Sequence, residues 1–246
     1  MLSLLHLCDS LFPIGGFAYS DGLEAAAAAR RPAPEAHSIP LERRGKGSRS
    51  DKPAISDISA LRDWMDTCLD ETMGRMEGPA VWQAWTAFRH EDWHALTALD
   101  EELDALRPAS TVRRSSRAMG LRLLTTWRTL HPDPRLSAAE ALARAGRLGP
   151  ALPIALAGAC AVSGIERRHA VEAFAYTRLA ATVSAAMRLM PIGQTDAHLL
   201  LARALDRLPA VVDGIIERDG RLESFSPALD IAAMTQQYLH SRLFRS

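Results

Sequence analysis

No stretch of this chain alternates apolar and polar residues with a period of two. Alanine, leucine and arginine instead recur at helical spacing from one end to the other. That pattern leaves little besides packed helices. A short first helix is expected over Leu2–Leu11, stopped by Pro13, with Gly15-Gly16 as a turn and a second helix from Tyr19 through the run Ala25–Ala29. Ser56 can cap a helix that places Ile58, Leu61, Met65 and Leu69 on one face. Further helices are expected over Pro79–His90, Trp93–Leu106, Thr111–Leu130, Ala138–Ala145, Leu152–Val162 and His169–Met190. Two more follow over Ala197–Ile216, with a possible break at Pro209, and over Pro227–Leu243. Gly74 to Pro79, His131–Pro134, Gly146 to Pro150 and Asp219-Gly220 read as the links between them. Roughly ten helices with short connections imply one all-α domain over residues 1–246, a bundle rather than a solenoid, since no fixed repeat period occurs.

One segment departs from the pattern. Residues 30–54 hold four prolines and a basic cluster of Arg43, Arg44, Lys46, Arg49 and Lys52, as in a loop or disordered insertion. Over the whole chain the formal net charge of zero gives no electrostatic reason to expect nucleic acid or an anionic membrane. No apolar run approaches bilayer length. The start, Met1 to Asp9, lacks the basic region of a signal peptide, and Cys8, Cys68 and Cys160 are too scattered for a disulfide framework or zinc ribbon. A soluble, cytoplasmic protein without a cofactor is expected.

The sharpest enzymatic signal is His90-Glu91-Asp92-Trp93-His94. On a continuous helix the two histidines would share a face and could hold zinc, with Glu91 as general base, giving a zinc-dependent hydrolase. Against this, no third ligand stands out, and Arg89 to Asp92 are polar enough to end one helix and start another with Asp92 as its cap. No phosphate loop, dinucleotide fingerprint or nucleophile elbow occurs.

Non-catalytic signal is denser. Leu11 to Ser20 sets Gly15 and Gly16 between Phe12 and Phe17, either as a simple turn or as a rigid corner presenting Tyr19 and Ser20. The two readings are compatible. Arg113, Arg114, Ser116 and Arg117 open a helix in which Gly120 requires a close neighbour, and the small residues from Ala155 to Ala161 suit the centre of a bundle. Pro191-Ile192-Gly193-Gln194 makes a kink in which Gln194 can satisfy freed backbone groups, with Thr195 or Asp196 capping the next helix. At the end, Ser241-Arg242-Leu243-Phe244-Arg245-Ser246 flanks an apolar pair with two arginines, as a docking element would.

Four segments in this order, Leu11–Glu24, Arg113–Gly120, Arg188–Asp196 and Ser241–Ser246, resemble the UreF family of urease accessory proteins. The resemblance implies an all-α homodimer without catalytic residues or metal ligands of its own. Its partners would be UreD (UreH in some systems), the GTPase UreG and apo-urease, in a complex that inserts nickel. The tail Ser241, Arg242, Leu243, Phe244, Arg245 and Ser246 would then dock on UreD. Gly15, Gly16, Phe17, Tyr19, Ser20, Glu24, Arg113, Arg117, Pro191, Gly193 and Gln194 would be partner-binding or structural corner residues, and Tyr176 a dimer-interface residue. Relatives usually carry His-Glu where this chain has Gln236-Gln237. A direct regulator of GTP hydrolysis by UreG, using an arginine, is the alternative within the same assembly.

Overall fold

The computed structural model describes residues 1–29 and 58–245. The expected insertion over 30–54, the cap at Ser56 and the last residue of the tail, Ser246, lie outside the described residues. Within them the chain is all α-helical, with no strand.

The α-helices are α1 (Leu2–Leu7), α2 (Leu23–Ala28), α3 (Ile58–Thr67), α4 (Gly78–His90), α5 (Trp93–Ala105), α6 (Ser110–Leu130), α7 (Pro134–Arg144), α8 (Leu152–Val162), α9 (Arg167–Leu189), α10 (Gln194–Glu217) and α11 (Pro227–Thr235). Their centre is α8, where every residue from Leu152 to Ala161 is buried and α4, α6 and α9 pack around it. Its small side chains let neighbouring backbones approach. Gly120 of α6 faces the start of α8 so closely that a Cβ there would lie 2.0 Å from the Pro150 carbonyl oxygen. The largest fully buried side chains are Trp127, Phe88 and Phe174. Phe12 and His6 stack against Trp127 with ring centroids 5.8 and 5.7 Å away, which fixes α1 and the following turn on α6.

Several boundaries differ from the sequence expectations, each for an identifiable reason. The first helix ends at Leu7 rather than Leu11, because the Asp9 carboxylate and carbonyl take the amides of Leu11 and Phe12 in a turn. Gly74 to Pro79 is no link. The chain passes from α3 through a π-helical segment (Cys68–Glu77) directly into α4. Pro79 sits in the first turn of α4, and a Cβ on Gly78 would lie 2.7 Å from Ile215 of α10. The glycine there marks helix contact, not a turn. Pro209 does not break α10, whose buried Leu208, Val212 and Ile215 hold it to the core on both sides. Finally α11 stops at Thr235, a 3-10 turn covers Gln236–Tyr238, and the residues up to Arg245 are non-helical.

Candidate functional site

The two ends of the chain meet. Between the 3-10 turn Gly16–Ala18 and α2, the backbone turns a corner in which Asp21 and Gly22 both take positive φ, 48° and 93°. Only glycine fits the second position, since a Cβ there would lie 2.6 Å from the Ala233 nitrogen of α11. This corner replaces the early part of the second helix that the sequence suggested, so α2 begins at Leu23.

Gln236, fully buried, ties α11 to the corner. Its side-chain oxygen accepts from the Ser20 hydroxyl (3.1 Å) and the Gly22 amide (2.9 Å), and its nitrogen donates to Glu24 (3.3 Å). The Glu24 carboxylate, itself buried, also accepts the backbone amides of Leu243 (2.5 Å) and Phe244 (3.2 Å). One carboxylate side chain thus serves three donors. The Arg245 amide donates to the Ala18 carbonyl at 2.8 Å. The tail is therefore seated on its own chain as a third strap over the corner.

This changes the tail expected from sequence. Phe244 is not an outward apolar group; it is 3% exposed and joins the core. The Arg188 guanidinium lies 4.4 Å over its ring and donates to the Phe17 carbonyl at 2.9 Å. Ser241, Arg242, Leu243 and Arg245 remain exposed, Leu243 at 53%.

Beside the seat runs a groove of about 870 Å³, walled by α1, the corner, α9 and α10. Phe17, Tyr19, Tyr176, Arg188 and Phe244 all border it. Phe17 (75% exposed) and the half-covered Tyr176 leave an aromatic rim open to solvent. The Cys8 thiol also faces the groove, and burial pushes its pKa up to about 11, so it stays protonated near neutral pH. A second apolar strip runs along α11 and the 3-10 turn after it, where Ile231, Met234 and Tyr238 are exposed at helical spacing; Leu243 of the tail is exposed as well.

The remaining expected residues fall elsewhere. Gly15 is near the corner, with φ 77°, beside Arg122, which donates to the Ile14 carbonyl. Arg113 and Arg117 are taken up at the α5–α6 junction, each pairing with Asp104, and Arg113 also donates to the carbonyls of Arg107 and Pro108. These contacts are all within the chain. Pro191, Gly193 and Gln194 form the α9–α10 turn. Gly193 is the N-cap there with no side-chain bond, so neither Thr195 nor Asp196 caps α10. Gln194 is exposed in the first turn and satisfies no backbone group.

The histidine motif does not form a site. His90 ends α4, Glu91 takes a left-handed φ of 57°, and His94 belongs to α5, whose N-cap Asp92 accepts the Ala95 amide at 2.9 Å. The break removes the shared helical face that a zinc pair needs.

A family model for UreF matches residues 55–205. The chain belongs to the UreF family. It is 31% identical over 249 residues to "Urease accessory protein UreF" of Methylibium petroleiphilum, covering all of this chain and 94% of that protein. The UreF of a Polaromonas species is 28% identical over 247 residues, again across the whole chain. A "Bifunctional urease accessory protein UreEF" of Bordetella bronchiseptica is 30% identical, with this chain spanning 52% of it. UreF relatedness therefore runs through the corner and tail as well as the helical core. The sequence marks the corner and the tail as separate motifs. Gln236 and Arg188, the residues that join them, stand out in it only as a lone amide and a lone arginine.

Proposed function

We propose that the chain is a non-catalytic adaptor of urease maturation. It pairs with a second copy, meets UreD with its tail and α11, and presents the assembly to UreG so that nickel reaches apo-urease. The observation that carries this reading is the seated tail. Its backbone is fixed by Glu24, while Arg242, Leu243 and Arg245 stay exposed, as do the apolar side chains Ile231 and Met234 of α11. A pre-ordered segment with an apolar centre and charged flanks binds at low entropic cost. The groove with its aromatic rim supports pairing with a second copy, Tyr176 lying on its border.

The test follows from the burial of Phe244. Deleting residues 241–246 would also remove a core side chain, so a surface variant is the cleaner probe. Leu243→Asp with Arg242→Glu is expected to abolish UreD capture in a pull-down while leaving the circular dichroism spectrum unchanged. Undiminished recovery of UreD by that variant would refute the tail assignment. Separately, Tyr176→Asp is expected to turn a dimer into a monomer in light scattering.

A further inference from the structure

Below the corner lie four charged groups in alternating order. Arg107, just after α5, pairs with Glu77 at the end of the π-helical segment, both side chains being 5% exposed. Glu77 lies 3.6 Å from the Nε of Arg178 in α9, and Arg178 in turn pairs with Asp21 of the corner. Burial alone would lower the Arg178 pKa, but Asp21 and Glu77 raise it further than burial lowers it, so the guanidinium is firmly charged. An unbroken run of opposite charges thus leads from the α5–α6 junction to the corner.

Asp21 occupies a particular place in that corner. Its neighbours Ser20 and Gly22 both bond Gln236, and Glu24 receives the tail amides. Asp21 itself holds a left-handed φ of 48°, a conformation that costs a non-glycine residue about 1 kcal/mol unless its surroundings fix it. The side chain paired with its carboxylate is Arg178. Yet Arg178 makes no hydrogen bond or ion pair with residues 241–245.

We infer that Arg178 is a positioning residue for the tail: through Asp21 it holds the corner in the backbone conformation that aims Glu24 at the amides of Leu243 and Phe244. The coupling does not depend on which protein the tail meets, and it is measurable on the free chain. Hydrogen exchange at the amides of Leu243, Phe244 and Arg245 reports the seat, and the amides of α8 report global unfolding.

Asp21→Asn removes the charge while keeping a side chain that tolerates left-handed φ. It is expected to speed exchange at the three tail amides about tenfold and leave α8 at its native rate. Arg178→Met is expected to do the same, and the double variant to be no faster than either single one, since both break one link. As a control, Arg207→Met, which breaks a more exposed bridge from α10 to Asp66 and Asp70, should leave the tail amides unchanged. Should Arg178→Met also expose α8, Asp21→Asn decides alone. Native tail exchange in Asp21→Asn, or effects of the two variants that multiply, would overturn the inference.

Discussion

Helix α8 and the corner are both buried, and they are held by opposite means. Around α8 the contacts are small, apolar and close, with backbone against backbone. At the corner, the fastening is one carboxylate and one amide, Glu24 and Gln236, which gather donors from segments more than 200 residues apart. Close packing is unforgiving and acts on the whole fold. A polar strap is local, and it can be undone without disturbing what lies beneath.

The difference can be pressed hardest at Gly120. Gly120→Val would drive side-chain atoms into the Pro150 carbonyl and the Ala151 backbone, neither of which can rotate away. We expect a loss of about 3 kcal/mol or more and a large fall in melting temperature, read by circular dichroism. A native-like melt would mean that the core is far more compliant than its geometry implies.

Glu24→Ala should be milder globally and sharper locally. It strips acceptors from two backbone amides and from Gln236, each worth about 1–3 kcal/mol while it stays buried. Because the tail can leave its seat and regain water, unfolding free energy should fall by only about 2 kcal/mol. Trypsin should meanwhile begin to cut after Arg242, a site expected to be protected in the parent. If the melt fell as far as for Gly120→Val, the corner would have to be counted as core.

The smallest effect lies on the core side, at Asp133, the N-cap of α7. Its hydrogen bonds to the Arg135 side chain hold its carboxyl below the ordinary carboxylate range. A depressed folded-state pKa contributes stability above the unfolded value, lost as pH falls through the folded one. Asp133→Asn, which can still cap the helix but loses the charged pairing with Arg135, should cost about 1 kcal/mol at neutral pH and flatten that part of the acid titration. Equal acid sensitivity in variant and parent would discount the pairing with Arg135.

The same contrast explains what was legible in the sequence. Leu152–Val162 emerges with the boundaries its composition implied, and Asp92 caps α5 as the polar run Arg89 to Asp92 indicated. Such features are set by neighbours in the chain. Gly74 and Gly78 mislead because a glycine that turns the backbone and one that admits a neighbouring helix look alike in sequence. The tail misleads for a related reason. A terminal Leu-Phe pair has no partner within reach along the chain, and the Glu24 carboxylate that turns Phe244 inward lies 220 residues away. The site was visible as two separate motifs. Their union through Gln236 and Arg188 was not.

The meeting of the two ends also bears on how the protein can be handled. Residues joined after Arg245 would leave from the seat itself, and those joined before Met1 would extend from a helix that borders the groove. A purification tag at either end therefore sits on a surface under test. The turn at Gly146 has only local hydrogen bonds and open space around it. An affinity tag or dye inserted there would leave both surfaces free.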